Sequence, residues 1–344
     1  MRETLVIRAE GEPSLALFDP SEGRWINDRI REIAVDRKDE RFARLGELQR
    51  EGMKSRRPLF YGWWYVREYT PQELASAELF LAKIARVFEP TGEECGTVYD
   101  ETVACGVCGA GERQVSVLKL DLRKVPRKVD IARTIGGELV VSQRLADLIL
   151  ENQLKGCELL PVQHKTWTED DAIEFHLYPA GRRILQRAQE LGVPLNTWEF
   201  WVWVNRDPQR ALIERMRSEH DAKEKRRVKR LGVEKLPPLY QLRVTGKQVS
   251  VDRHTVVGEG PFDEDPTWRR SCPLGHTIGL NLLSELWIRR DSYDGSDFAA
   301  TNERFGARRG LLRPKPLLLV SPQARQTFMA NDIKGIAYEV AHVS

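Results

Sequence analysis

The chain has 344 residues, 54 of them basic and 51 acidic, for a formal net charge of +3. That balance argues against a general nucleic-acid coat or a membrane-surface protein, and no apolar run reaches the roughly 18 residues of a transmembrane helix. Nine tryptophans and a hydrophobic content of 41% are enough for a sizeable core.

Residues 4–8 and 14–18 read as short strands, and Asp19-Pro20 and Ser21-Glu22-Gly23 turn the chain after the second. Phe42, Leu45 and Leu48 keep helical spacing among charges over 36–53, a surface helix ending at Gly52. Residues 59–69 hold Phe60, Tyr61, Trp63, Trp64, Tyr65 and Tyr69. They read as a buried strand with aromatics on both faces or, alternatively, as a stacking platform for bases. Thr70-Pro71-Gln72-Glu73 is a capping box with proline in the first turn. It predicts a helix with Leu74, Ala77, Leu81, Ile84 and Phe88 on one face, ended by Pro90-Thr91-Gly92.

Residues 115–122 read as a strand, and 123–128 form a small basic patch, a solvated loop or a phosphate contact. After an acidic stretch at 168–171, residues 182–192 predict a helix with Ile184, Leu185, Ala188 and Leu191 inward. Residues 198–204, Trp-Glu-Phe-Trp-Val-Trp-Val, read as a strand apolar on both faces. A charged helix follows over 208–231, with nine basic and four acidic residues between 210 and 230. It reads as a solvated helix, or as one that reaches an acidic partner or a nucleic-acid backbone. Pro237-Pro238 breaks it. Residues 240–244 and 247–251 resemble a hairpin around Thr245-Gly246, and 258–266 read as an acidic linker.

Two stretches organise this order. A shift of 167 carries Cys105 to Cys272, Asp130 to Asp297 and Thr134 to Thr301; a shift of 179 then carries Val141 to Val320, Ser142 to Ser321, Asn152 to Asn331 and Gly156 to Gly335. Self-similarity on this scale predicts an internal repeat. Each copy is an apolar strand ending at a capping Ser, one helix, a Lys-Gly stop and a closing strand. The fold expected is α+β. It has an N-terminal α/β region (1–92), repeat one with a CxxC knuckle (93–165), an insert with the aromatic strand and charged helix (166–260), and repeat two with a CxxxH knuckle (261–344).

Five cysteines, two of them in Cys105-Gly-Val-Cys108, suit a reducing cytoplasm and a metal site better than a disulfide frame. The N-terminus also lacks the apolar core of a secretory signal. Two thiolates from one tight turn bind half of a tetrahedral zinc shell, and Gly106 and Gly109 free the backbone to make that turn. The repeat places Cys272-Pro-Leu-Gly-His276 opposite, so the expectation is one structural Cys₃His zinc site from Cys105, Cys108, Cys272 and His276. The alternatives are unliganded remnants of a lost site or a redox pair. Cys95 is a reserve ligand, and Cys157 reads as a buried small hydrophobe. Asp297 repeats Asp130 and reads as a capping or turn residue, although Asp294, Asp297 and Glu303 are where an enzyme would have to place its carboxylates. The chain shows no P-loop, GxGxxG or catalytic histidine motif.

The Cys105-Gly-Val-Cys108-Gly109 knuckle, Asp297-Phe-Ala-Ala-Thr301, and the segment 320–340 around Gly335 resemble the double-CXXCG-motif immunity proteins, which neutralise polymorphic toxins. The likeness covers about 150 residues and departs from the family at Cys272-Pro-Leu-Gly-His276, where a His must replace a Cys. It implies a non-catalytic cytoplasmic protein whose partner is a cognate toxin. A nucleic-acid-binding zinc protein using 123–128 and the 210–230 helix is the other reading.

Overall fold

The computed structural model describes residues 1–165, 175–195, 197–204, 209–232, 235–264, 272, 276, 281–306 and 314–344. The acidic stretch 168–171 and the residues between Cys272 and His276 lie outside this set. The fold mixes helices and strands, an α+β architecture.

The N-terminal region is an antiparallel sheet under one helix. Strand β1 (Arg2–Glu10) turns Leu5, Ile7 and Ala9 inward by simple alternation. Together with β2 (Arg24–Trp25), β3 (Ile30–Asp36) and β4 (Phe60–Glu68) it forms a sheet in the order β2-β3-β1-β4. Helix α1 (Phe42–Lys54) closes it, burying Leu45 among Leu5, Ile7, Ile33 and Phe60. Residues 14–18 are not the expected strand. The chain makes a helical turn at Gly11–Ser14, where the Ser14 hydroxyl donates to the Gly11 carbonyl at 2.6 Å and accepts from the buried Arg31 guanidinium at 2.8 Å. Helix α1 also starts later than expected, because Asp36 and Asp39 hold turns by accepting from the backbone N–H of Lys38 and Arg41. On β4 only one face is buried: Phe60 and Tyr65 are inside, while Tyr61 is 66% exposed.

The Thr70 capping box forms, but helix α2 (Pro71–Ser76) stops after six residues. The apolar residues expected to continue it become β5 (Leu79–Ile84), buried on both faces from Leu79 to Ala82. An apolar run this short fits either period, and burial in the middle of a sheet decides for the strand. Strand β6 (Val87–Phe88) follows. In place of the expected strand over 115–122, the chain makes two short pairings, Arg113–Gln114 with Tyr99–Asp100 and Lys119–Leu120 with Gln163–His164. Next come β7 (Ile131–Thr134), β8 (Leu139–Ser142), α3 (Gln143–Glu151) and β9 (Cys157–Pro161).

The described residues of the insert from 175 to 232 are mainly helical. Residues α4 (Pro179–Glu190), α5 (Trp198–Val204) and α6 (Arg210–Leu231) share a core of Phe175, Ile184, Ala188, Phe200, Val204, Ile213 and Met216. The expected strand at 198–204 is therefore a helix. Phe200 and Val204, four residues apart, enter one core together, and the Thr197 hydroxyl accepts from the Phe200 N–H at 3.3 Å. Leu191, expected inside, is 52% exposed. Helix α6 ends at Gly232, in a left-handed conformation, ahead of the prolines.

The remaining strands of the two large sheets and the last helix are β10 (Leu239–Val244), β11 (Gln248–Val249), β12 (Leu286–Ile288), β13 (Phe298–Phe305), β14 (Lys315–Val320), α7 (Pro322–Ala330) and β15 (Ile336–Val343). No hairpin joins β10 to β11. Strand β10 enters a five-stranded sheet, β9-β10-β8-β7-β6, and β11 enters a six-stranded one, β11-β13-β14-β5-β15-β12. Strands from residues 1–92, 166–260 and both proposed repeats thus share these two sheets. The expected acidic linker clamps the N-terminal region instead. Phe262 packs edge-on against Phe42 at 5.1 Å, and the Pro261 carbonyl accepts from the Tyr65 hydroxyl at 3.0 Å.

The five strands of one sheet each have a counterpart in the other, where β12 is an extra edge strand. Strand β10 lies antiparallel between β8 and β9, and β5 lies antiparallel between β14 and β15. Strand β6 runs parallel to β7, and β11 runs parallel to β13. Matched residues also bond reciprocally across the sheets. Asp297 accepts from the Lys155 N–H at 2.8 Å and from the Ser321 hydroxyl at 2.6 Å. Asp130 accepts from the Lys334 N–H at 3.0 Å and from the Ser142 hydroxyl at 3.0 Å. Ser142 and Ser321 cap α3 and α7 as expected.

Gly156 and Gly335 do not end those helices. Gln153 and Asp332 take the left-handed turn, with φ of 51° and 49°. The glycines lie where each half's backbone crosses the other. A Cβ on Gly156 would overlap the Phe298 carbonyl oxygen, and one on Gly335 would overlap that of Ile131.

Candidate metal centre

The first knuckle hangs from the short pairing of Tyr99–Asp100 with Arg113–Gln114. The Cys105 N–H donates to the Ala110 carbonyl at 2.8 Å, and the Gly109 N–H donates to the Cys105 carbonyl at 2.7 Å. Gly109 has a φ of 70°, a left-handed turn that a Cβ would disfavour. Both thiols of the turn thereby point the same way. The second knuckle closes when the Cys272 N–H donates to the His276 carbonyl at 2.6 Å.

The knuckles meet although 167 residues separate their first cysteines. Cys105 Sγ lies 3.7 Å from Cys272 Sγ, and His276 Nδ1 lies 3.3 Å from Cys108 Sγ and 3.2 Å from Cys272 Sγ. All four ligand atoms fall within 4.8 Å of one another. Ligands held about 2.0–2.3 Å from one tetrahedral ion stand roughly 3.3–3.8 Å apart, so the set has the dimensions of a single four-coordinate site. The three cysteines are buried with Ala110, and His276 is half-buried. Among the described residues this is the one group of His, Cys, Asp and Glu with metal-binding dimensions.

Electrostatics divide the thiols. The Cys108 backbone N–H, supported by that of Val107 and by His276, pushes the Cys105 thiol down to about 6. Burial pushes Cys108 up to about 11. Amides aimed at a sulfur favour the thiolate, the form that binds a metal. Cys95 and Cys157 stay outside the group: burial raises Cys95 to about 11, and Cys157 is half-buried against the main core.

The other candidate residues have structural duties. Asp294 accepts from the Ser296 N–H at 3.0 Å in a turn. Glu303 accepts from the Val251 N–H at 2.9 Å, and burial raises its carboxyl. Both arginines of the basic patch 123–128 are tied down: Arg123 pairs with Asp121 at 2.5 Å, and Arg127 donates to the Pro237 carbonyl at 3.0 Å. His164 pairs with Glu224 at 3.1 Å, and His220 with the Tyr178 hydroxyl at 2.5 Å.

A buried ionic chain escaped the sequence reading. Arg67, with 2% of its side chain exposed, pairs with Glu3 at 2.6 Å and Glu339 at 2.8 Å, and Lys83 reaches Glu339 at 2.6 Å. Its members come from β1, β4, β5 and β15, so no local spacing could signal it. It joins the N-terminal sheet to the six-stranded one. No family model matches the chain, and no curated protein and no solved structure matches it either.

Proposed function

We propose that Cys105, Cys108, Cys272 and His276 hold one structural zinc ion. On this reading the protein is a non-catalytic immunity protein that binds and neutralises a toxin in the cytoplasm. The observation that carries the metal reading is the closed set of four protein ligand atoms within 4.8 Å. Three thiols and an imidazole are a soft set suited to zinc, and four protein ligands complete its shell with no position left for a substrate. Such an ion works as a pin, tying residues 105–108 to residues 272–276 and contributing its binding free energy to folding.

Matched strand pairings, matched caps and reciprocal aspartates support descent of the two halves from one duplicated unit. In this duplication β5 and β10 are exchanged, each lying in the other half's sheet. The toxin-binding role is supported by the Cys105-Gly-Val-Cys108-Gly109 knuckle and the matching tail around Gly335. The test is co-expression with the protein encoded beside it. Rescue of growth and a co-purifying complex are expected; a neighbour that is harmless and fails to co-purify refutes the role.

The second reading, nucleic-acid binding, is favoured by α6, which exposes Arg215, Lys225, Arg226, Arg227 and Lys229. It requires affinity for DNA or RNA that falls steeply with salt.

A further inference from the structure

The two halves correspond closely, and one place where they differ opens a cleft. In half one, Leu139 of β8 pairs with Leu242 of β10. The shift of 179 takes Leu139 to Leu318. The pairings of Val140 with Gln241 and of Leu319 with Leu81 set β10 and β5 160 residues apart, so Leu242 corresponds to Ala82. Leu318 and Ala82 do not pair. Strands β5 and β14 meet only at Leu81–Leu319 and Phe80–Val320, then part. Each is still held on its other side: β5 follows β15 as far as Ile84, and β14 follows β13 back to Lys315.

A cavity of about 390 Å³ fills the gap. Trp63 and Trp64 of β4 form one wall, and Lys83, Arg133, Lys315 and Leu318 line the strands around it. The lining holds four cations, Arg67, Lys83, Arg133 and Lys315, and all but Arg133 are in ion pairs. Its single carboxylate, Glu339, is already neutralised by Arg67 and Lys83. Lys315 is paired outward with Glu112. Arg133 is exposed and has no carboxylate within ion-pair distance among the described residues.

We propose that this cleft between β5 and β14 binds an extended, acidic segment of a partner protein. Two strands that part while each stays anchored leave room for a third between them, the geometry of strand addition. The tryptophans supply an apolar wall, and Arg133, the lining cation that no described carboxylate pairs, favours a chain that carries Asp or Glu. The inference rests on the partner-binding reading above and names the kind of segment recognised.

The experiment is fluorescence anisotropy with the full-length, metal-loaded protein and a fluorescein-labelled peptide of alternating glutamate and valine. A lysine–valine peptide is the charge control. The acidic peptide is expected to bind and the basic one not. Arg133→Glu should weaken binding about tenfold or more, about 1.4 kcal/mol, and Arg133→Ala should weaken it less. Arg29→Glu, in the exposed turn between β2 and β3, should bind as the parent does. Unchanged melting curves would show that the Arg133 variants are folded. Equal binding of both peptides, or unchanged affinity in Arg133→Glu, overturns the proposal. So does duplex DNA that displaces the peptide with the same dependence on Arg133, which would assign the cleft to polyanions. A protein that neutralises its neighbour yet ignores acidic peptides keeps its function and loses this cleft.

Discussion

Replacing Gly335 with alanine tests the crossing of the two halves at a single atom. Gly335 has a φ of 100°, beyond the left-handed helical region that other residues occasionally adopt. A Cβ there would lie closer than 3.0 Å to the Ile131 carbonyl oxygen and 3.0 Å from Val129 Cβ. The backbone conformation alone costs on the order of 1–3 kcal/mol, and overpacking against a backbone that cannot rotate away adds roughly 1–3 kcal/mol. The expected loss is therefore about 2–6 kcal/mol. At roughly 2–4 °C per kcal/mol for a unit of a few hundred residues, the midpoint of thermal unfolding followed by circular dichroism should fall by about 4–24 °C. Gly156→Ala, with a φ of 93° and the Phe298 carbonyl oxygen in the way, should fall by a similar amount. Gly232→Ala is the control: its φ is 65° and nothing lies within 4 Å, so it should lose only about 1 kcal/mol. If Gly335→Ala melts within a degree or two of Gly232→Ala, the close crossing described here is wrong.

Other substitutions probe the same frame. Asp297→Ala leaves the Lys155 N–H and the Ser321 hydroxyl without their acceptor and should cost about 1–3 kcal/mol in urea unfolding. Asp130→Ala should cost less, because the Ser142–Asp130 bond is only part-buried whereas its Ser321 counterpart is buried. Arg67→Met removes the centre of the buried ionic chain and leaves Glu3 to Arg37 and Glu339 to Lys83, two partners that are each about half exposed. A loss of about 3 kcal/mol, the lower end for a broken buried pair, is expected. A smaller loss from the triple replacement of Arg67, Glu3 and Glu339 by apolar residues would show that the penalty comes from uncompensated charge.

The legible parts of this fold are those with a local cause. Ser142 and Ser321 precede apolar stripes and cap helices, and Thr70 with Glu73 forms its box. The knuckle spacing at Cys105 and Cys108, set against Cys272 and His276 by the internal repeat, led to four residues that the fold does bring together. Where period and composition disagreed with position, the reading failed. Residues 79–84 have helical spacing with 74 and 88, yet they lie in the middle of a sheet built mainly from the other half. Residues 198–204 have the composition of a strand, yet Phe200 and Val204 share a helical face against α4 and α6. Strands β10 and β11 looked like a hairpin because their sequence neighbourhood is local while their partners are not. Gly156 and Gly335 read as helix stops in the sequence because the carbonyl that requires glycine belongs, in each case, to a strand more than 100 residues away.

The most direct test of the whole account is the metal content of freshly purified protein, measured by inductively coupled plasma mass spectrometry beside Cys105→Ser and Cys272→Ser. The account predicts one zinc per chain in the parent, little in either variant, and a melting temperature that falls in both variants and with chelator. Metal-free parent protein that melts at the same temperature as Cys272→Ser, with or without chelator, would contradict it.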